Sequence, residues 1–187
     1  MDQQYICILT FGYFEMSFLE KIERAIRNEF FLPVRFRAAH FDLSETYDIV
    51  RRQYNGNNLL KEVDAMAYPN AIKTIGLFNV DIFVPILTFI FGQATLDGQS
   101  GIASLFRLNN THYGLPEDED LLLERFQKEV IHELGHTFGL LHCHAPQCVM
   151  RSSTYVEDID QKETHFCMEC RNKLNTTAFI ATTFRKH

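Results

Sequence analysis

Residues 132–142 constrain this chain more than any other segment, because they read His-Glu-Leu-Gly-His-Thr-Phe-Gly-Leu-Leu-His. An apolar stripe at spacings of three and four leads into them, which predicts a long helix beginning in the acidic residues 117–120. The stripe consists of Leu123, Phe126, Val130, Leu134 and Phe138. On this helix His132 and His136 lie about 40° apart and face away from the stripe. We therefore expect two imidazoles that converge outside the buried face.

Two imidazoles one helical turn apart are typical of a zinc site. Glu133 lies beside them, where its carboxylate can take a proton from a water molecule that the metal activates. Gly139 can end the helix in the left-handed conformation and turn the chain sharply, so that His142 returns as a third ligand. The simpler alternative, solvated histidines and a glycine that is only a cap, does not account for this spacing.

The cellular compartment decides how the cysteines are interpreted. The N-terminus has no basic residue ahead of its apolar stretch and no small-residue cleavage site, so it does not resemble a signal peptide. The longest apolar run, residues 83–91, is less than half of a membrane span. We expect a cytoplasmic protein whose thiols are reduced.

Cysteine spacing predicts a second metal site. Four of the five cysteines lie within 28 residues, namely Cys143, Cys148, Cys167 and Cys170. In a reducing compartment such a cluster is typical of metal ligands rather than of disulfides. His144 or His165 lies close enough in the chain to replace one thiolate. Cys7 stands apart in the first strand-like run, where we expect a buried thiol.

The apolar pattern predicts an α/β (α+β) fold in one domain that spans residues 1–187. Strand-like runs occur at residues 5–11, 33–38, 72–84, 87–96 and 101–108, and helical patterns at residues 18–31, 42–52, 59–67 and 167–174. Asp97-Gly98 is typical of a hairpin turn between the last two runs. We predict an N-terminal lobe of about residues 1–139 with a mixed sheet, and a small irregular C-terminal lobe of about residues 140–187.

Charge disfavours two kinds of partner. The chain has 18 basic and 24 acidic residues, a formal net charge of −6. Between Cys143 and Cys170 there are two basic residues and five acidic ones, so phosphate binding by a zinc ribbon is disfavoured. We expect neither nucleic acid nor a membrane as a partner.

The motifs resemble a known family. The pattern HExxHxxGxxH is the zinc signature of the metzincin metallopeptidases, and Met150 matches the methionine of their Met-turn. The pairs Cys143 with Cys148 and Cys167 with Cys170 resemble the archaemetzincin family in particular. The gap before the last pair is one residue shorter than the family pattern. Residues 51–55, Arg-Arg-Gln-Tyr-Asn, also resemble a segment of that family.

The resemblance implies a metzincin-like fold, with a mixed five-stranded sheet, a backing helix and an active-site helix, and a C-terminal lobe stabilised by zinc. It also implies two Zn²⁺ ions in each chain. His132, His136 and His142 would hold the catalytic ion, and Cys143, Cys148, Cys167 and Cys170 the structural one. Gly139 and Met150 would support the site, with the methionine packed under the imidazoles.

The activity implied is hydrolysis of a peptide or protein substrate, with Glu133 as general base. We expect an extended substrate to add to the sheet edge near residues 89–96. One alternative is a zinc-binding regulatory module with little or no proteolytic activity, and another is hydrolysis of a non-peptide amide. Arg51 and Arg52 are interpreted either as solvated helix residues or as a recognition site for a carboxylate. A monomer is expected.

Overall fold

A computed structural model describes residues 3–66 and 68–183 of the chain. Its strands are β1 (Tyr5–Thr10), β2 (Val34–Ala38), β3 (Tyr47–Asp48), β4 (Gln53–Asn55), β5 (Ala71–Phe78), β6 (Ile82–Phe83), β7 (Gly92–Ala94) and β8 (Ser100–Ser104). Its α-helices are α1 (Met16–Phe30), α2 (Gly56–Ala65), α3 (Glu119–Thr137), α4 (Val156–Asp160) and α5 (Met168–Thr183).

Five of these strands form the main sheet, in the order β2-β1-β5-β8-β7. Strands β2, β1, β5 and β8 are parallel to one another, and β7 pairs antiparallel with β8. The mixed five-stranded sheet implied by the sequence is therefore confirmed, and β7 is one of its edges. The short strands β3, β4 and β6 form a second sheet.

The main sheet is buried on both faces at its central strands, such as β1. Along β1, Ile6 and Ile8 belong to one apolar cluster and Cys7 and Leu9 to another, because alternate side chains of a strand point to opposite faces. The first cluster includes apolar residues of α1 and α3, and the second includes those of α2. A central strand covered on both sides is apolar throughout, which explains its sequence. Cys7 is fully buried, as expected.

Local features explain where helix α3 begins and where helix α1 ends. The Asp118 side chain accepts the backbone N–H of Leu121 at 2.9 Å, so α3 begins at Glu119, within the acidic residues 117–120 as predicted. Helix α1 ends at Phe30, and the next residue, Phe31, has a left-handed backbone with φ 55°. None of the helices in the described residues is long and apolar enough to cross a bilayer.

The prediction of a helix at residues 42–52 is wrong. The chain there forms a single 3₁₀ turn, Leu43–Thr46, and then strand β3. The Asp48 carboxylate accepts the backbone N–H groups of Val50 and Arg51, each at 2.9 Å, and Arg52 takes the left-handed conformation with φ 58°. Because the side chain of Asp48 binds these N–H groups, the segment forms a turn instead of the predicted helix.

Three predicted strands are shorter than expected. The run at residues 101–108 ends as a strand at Ser104 and continues as a 3₁₀ turn, Phe106–Leu108. Residues 72–84 contain β5 and, after a break, β6, whereas residues 87–96 contain only the three-residue β7. Side chains take the carbonyl oxygens that a neighbouring strand would otherwise use. Arg51 Nη1 donates to Leu87 O at 3.0 Å, and Gln53 Nε2 donates to Thr88 O at 2.9 Å.

The first apolar cluster continues beyond the end of α3. Val130 and Leu134 of that helix share it with Val149, Met150 and Phe166. The segment between α3 and α4 contains no regular strand or helix, as predicted, and it packs on the helix that carries the histidines. The short helix α4, in contrast, lies in a stretch that was predicted to be irregular. The final helix predicted at residues 167–174 is present and longer, extending to Thr183.

Candidate metal centres and active-site cleft

His132 and His136 lie on the last two turns of α3, and backbone carbonyls orient both rings. His132 Nδ1 lies 2.8 Å from Val149 O, and His136 Nδ1 lies 2.7 Å from Leu140 O. These contacts leave each Nε2 to face the other across 3.0 Å. Two nitrogens that bind one tetrahedral zinc at about 2.0–2.1 Å lie about 3.3–3.4 Å apart, so the pair fits a shared ion.

Gly139 ends α3 with φ 86°, as the sequence predicts. Its N–H donates to His136 O at 2.9 Å, and the Leu140 N–H donates to Gly135 O at 3.0 Å, which is the hydrogen-bond pattern of a glycine-terminated helix. The turn brings His142 back, with its ring centroid 5.3 Å from that of His132 and 4.9 Å from that of His136. One nitrogen from each of the three rings lies within 4.8 Å of the others.

The electrostatic environment favours neutral imidazoles. Burial, and next the positive charge of Lys162, lower the pKa of His132 well below its ordinary value. Burial is also the main cause that lowers the pKa of His136 and of His142. Neutral imidazole is the form that binds a metal ion, so the three side chains suit a divalent metal such as zinc.

The histidines line a cleft of about 590 Å³. Edge strand β7 and residues 87–91 contribute to its wall, together with residues 152–155 and Lys162. Glu133 lies in this cleft and is 5% exposed. Burial and the negative charge of Glu129 raise the pKa of Glu133 well above its ordinary value. A buried carboxyl beside a metal centre has the environment of a general base.

Sequence analysis missed three residues of this cleft. Glu129 lies one helical turn before Glu133. Its i,i+4 spacing from Glu133 was a sequence signal that could have placed both carboxyls on the same side of the helix. Lys162 lies thirty residues from His132 in the chain and is 2% exposed. Gly92 lies within the predicted strand of residues 87–96, where nothing in the sequence distinguishes it. In the structure its backbone lies directly against Glu133 and Glu129.

The four predicted cysteines converge on a second point. Their Sγ atoms lie within 4.8 Å of one another, and the Cys143 and Cys167 Sγ atoms are 3.7 Å apart. Two thiolates that bind one tetrahedral zinc at about 2.3 Å lie about 3.8 Å apart, whereas disulfide sulfurs are about 2.0 Å apart. The cluster therefore fits a closed tetrahedral metal site.

The backbone at the start of α5 stabilises the thiolate form of Cys167, which is the form that binds a metal. The backbone N–H of Cys170 is the main cause that lowers the pKa of Cys167 to about 7, because it hydrogen-bonds the thiolate. Burial raises the pKa of Cys148 and of Cys170. Among the described residues, the converging ligand atoms at this point are those of the four cysteines, without His144 or His165. His165 Nδ1 instead lies 2.6 Å from Glu29 Oε1.

The two centres share one backbone segment. The Cys143 N–H donates to Met150 O at 2.9 Å, directly after His142 in the chain. Met150 is fully buried beneath α3, where a Cβ added at Gly135 would lie 2.4 Å from its Sδ. The position of Met150 is therefore under the helix that carries two of the histidines, as the resemblance implies.

Arg51 and Arg52 are exposed, as one interpretation expects, but they lie in a turn and not in the predicted helix. Arg51 lies in a turn, not in a helix, and its guanidinium donates to Leu87 O at 3.0 Å and Pro85 O at 3.3 Å. It also lies 4.4 Å from the ring centroid of Phe83. Arg51 fastens residues 85–88 to the turn at residues 48–52 and is engaged by backbone carbonyls, not by a carboxylate.

Three converging histidines and a buried glutamate in a cleft beside a sheet edge are typical of the metallopeptidase class. The family model of peptidase family M54 matches residues 5–176. The chain therefore belongs to peptidase family M54, the family of the archaemetzincins.

Individual relatives agree with this membership. The archaemetzincin of Thermococcus kodakarensis is 40% identical over 129 residues, which cover 68% of this chain and 69% of the relative. That of Methanopyrus kandleri is 35% identical over 173 residues, which cover 90% of this chain and 94% of the relative.

Solved structures agree as well. The crystal structure of the Methanopyrus kandleri archaemetzincin matches with a TM-score of 0.82 and 32% identity, covering 95% of this chain and 96% of that one. A zinc-dependent peptidase from Methanocorpusculum labreanum matches with a TM-score of 0.82 and 28% identity, covering 91% and 100%. The fold and the family resemblance found in the sequence are confirmed.

Proposed function

We propose that the chain hydrolyses peptide bonds as a zinc-dependent metallopeptidase, with Glu133 as its general base. The observation that carries the proposal is the placement of Glu133 in the same cleft as three histidines whose free nitrogens converge. We further propose two zinc ions for each chain, the second bound by the cysteines, within one catalytic domain formed by residues 1–187.

The histidines would hold a zinc ion that supplies Lewis-acid chemistry, activating a water molecule and polarising the scissile carbonyl. The carboxylate of Glu133 accepts the proton of the attacking water and passes it to the leaving amine. The carbonyls of Val149 and Leu140 keep the rings of His132 and His136 in place during these steps. The raised pKa of Glu133 makes its carboxylate a stronger base, which favours acceptance of the proton.

The substrate would bind in extended form along β7. This strand pairs with β8 on one side only, so its other edge offers backbone groups to a peptide. Because β7 contributes to the cleft wall that also includes Glu133, strand addition would lay a peptide across the histidines.

The test compares the zinc-loaded wild type with Glu133→Gln, on short peptides with free and with blocked amino termini. We expect Glu133→Gln to keep both zinc ions and to lose about 10²- to 10⁴-fold in kcat. Turnover by the variant at the rate of the wild type would contradict the role of Glu133. Failure of both proteins to cleave any peptide would favour a regulatory module, and cleavage of small amides alone would favour a non-peptide substrate.

A further inference from the structure

Glu29 is a buried carboxylate in the last turn of α1. It is 3% exposed, although glutamate is seldom fully buried without a partner. A buried carboxylate is costly unless other groups bind it. The groups that bind Glu29 therefore indicate what this residue does.

Three groups of one short segment, residues 165–171, bind this carboxylate, and they lie more than 130 residues further along the chain. His165 Nδ1 lies 2.6 Å from Oε1, and the Phe166 N–H donates to Oε2 at 3.3 Å. The Arg171 guanidinium donates to Oε2 and also to the backbone carbonyl of Glu29. Arg171 thus binds the side chain and the helix end together, through a fork that lysine does not have.

Aromatic rings flank this ion pair. The Arg171 guanidinium carbon lies 5.1 Å from the ring centroid of Phe166 and 5.6 Å from that of Phe31. The Phe166 ring in turn packs edge-on against Phe30, with the two centroids 5.5 Å apart. Because the rings and the burial of Glu29 limit the access of water, this ion pair is stronger than one on the surface.

The anchored segment carries two of the four cysteines of the second metal centre. Cys167 directly follows Phe166, and Cys170 directly precedes Arg171. The other two cysteines belong to the loop between α3 and α4. The centre is therefore made of two halves from separate segments, and one ion can bind all four thiolates only when both halves are in place.

Backbone hydrogen bonds hold the loop that carries the other half. The Cys143 N–H donates to Met150 O at 2.9 Å, and the Cys148 N–H donates to Ala145 O at 3.1 Å. The loop meets the anchored segment where the Val149 N–H donates to His165 O at 3.0 Å. These contacts do not involve the Glu29 carboxylate, so a change at Glu29 should loosen residues 165–171 without unfolding the loop.

We propose that Glu29 is a positioning residue for the second metal centre, whose carboxylate holds residues 165–171 against α1 so that Cys167 and Cys170 are in place before a metal ion binds. Less ordering then remains to be done when the ion binds, which raises its affinity. The inference rests on the zinc ion proposed for the four cysteines. It does not depend on hydrolysis, and its tests need no substrate.

The first experiment measures metal affinity at the cysteines with Co²⁺, whose thiolate charge-transfer absorption reports on this centre and not on the histidines. Displacement of Co²⁺ by zinc, in the presence of a competing chelator, then gives the zinc affinity. Glu29→Gln keeps the shape of the side chain but replaces one acceptor oxygen by an NH₂ group, which cannot accept the hydrogen bonds made there. We expect this variant to bind zinc at the cysteines about 10- to 100-fold more weakly, with the affinity of the histidines unchanged.

Two variants of the same helix are the controls. Glu23 forms a solvent-accessible ion pair with Arg27 at 3.4 Å, so Glu23→Gln should leave zinc affinity at the cysteines unchanged. Ile26→Val shortens a fully buried side chain of α1 and controls for a loss of stability alone. The inference is overturned if Glu29→Gln keeps the affinity of the wild type, or if Ile26→Val weakens zinc binding as much as Glu29→Gln does.

The second readout is amide hydrogen exchange in the metal-free proteins. We expect faster exchange within residues 165–171 of Glu29→Gln, with the exchange of α3 unchanged. Arg171→Lys keeps the charge but loses the fork, so it should change both readouts in the same direction. Because the two residues act as a pair, the combined variant should be little worse than either single one. Unchanged exchange in residues 165–171, or additive losses of affinity, would overturn the inference.

The outcomes separate this inference from the proposed function. If Glu29→Gln does not fold, Arg171→Lys decides, because full zinc affinity in that variant overturns the inference and weakened affinity at the cysteines supports it. A wild type without the charge-transfer absorption would overturn the zinc ion proposed for the cysteines and this inference together. Weakened zinc binding in Glu29→Gln supports the inference even if no peptide is cleaved.

Discussion

The backbone of Gly92 lies directly against the side chain of Glu133. A Cβ at this position would be 2.7 Å from Glu133 Cγ and also 2.7 Å from the carbonyl oxygen of Ile102. The edge strand of the sheet thus approaches the proposed base more closely than any side chain at residue 92 would allow. Because of this contact, a peptide bound along β7 would lie at a fixed distance from the Glu133 carboxylate.

We expect Gly92→Ala to reduce kcat about 10²-fold while zinc content stays that of the wild type. The added methyl group must displace either Glu133 or β7, and a displacement of about 1 Å in a catalytic group costs a factor of this size. Gly101→Ala is the matched control on β8, because its Cβ would meet Ala94 Cβ at a milder 3.3 Å. Steady-state kinetics and metal analysis of both variants check the prediction, and equal losses in the two would refute it.

Replacing Cys167 by Ala should abolish binding of the second metal ion and destabilise the chain. We expect a loss of about 3 kcal/mol or more, which corresponds to about 10 °C in Tm for a domain of this size. Cys7→Ala is the control, since Cys7 is buried in the other apolar cluster and should cost about 1 kcal/mol with metal binding unchanged. Zinc content and thermal unfolding would be measured, and undiminished zinc in Cys167→Ala would contradict the cysteine site.

Acidification should destabilise the metal-free chain. The pKa values of His132, His136 and His142 are lowered in the folded state, mainly by burial. The unfolded chain then binds more protons than the folded chain once the pH falls below about 6.5. The contribution of these three histidines to the free energy of unfolding should accordingly be constant above that pH and fall below it, down through the lowered values. The raised pKa of Glu133 contributes with the opposite sign, so the histidine contribution is read from variants.

Urea unfolding between about pH 5 and pH 8 measures this slope. His132→Gln should flatten it, because the imidazole with the largest lowering is gone. His144→Gln, at an exposed position, should leave the slope unchanged. An identical profile in His132→Gln and wild type would show that the buried imidazole does not control acid stability. With zinc added, binding should persist to a lower pH than for free imidazole and then fail by protonation.

Arg51→Ala should weaken substrate binding more than catalysis. Arg51 holds the carbonyls of Pro85 and Leu87, and residues 87–91 contribute to the cleft wall. Without these hydrogen bonds the wall loses order, so we expect KM to rise roughly five- to tenfold with kcat nearly unchanged. Arg52→Asn is the control, because asparagine tolerates the left-handed backbone that Arg52 adopts. A fall in kcat without a change in KM would contradict this role.

Elements whose structure depends on neighbouring residues in the chain were predictable from the sequence. The spacing of the apolar stripe predicted α3, and Gly139 predicted the end of that helix because a left-handed residue favours glycine. The prediction failed at residues 42–52, where one side chain, Asp48, takes two backbone N–H groups that a helix would need. The spacing of apolar residues does not show when a side chain competes with helix carbonyls for backbone N–H groups.

The sequence by itself was enough to predict the two sets of candidate metal ligands, because the residue types and their spacing on a helix or a turn can be read along the chain. Only the tertiary structure decided what surrounds them. Gly92, on a sheet edge, lies against Glu133, and Lys162, on a loop, lines the same cleft. Both are distant from Glu133 in the chain, and no short-range pattern relates them to it. Burial, charge balance and close approach at the base depend on packing between segments, and packing is fixed only when the whole chain folds.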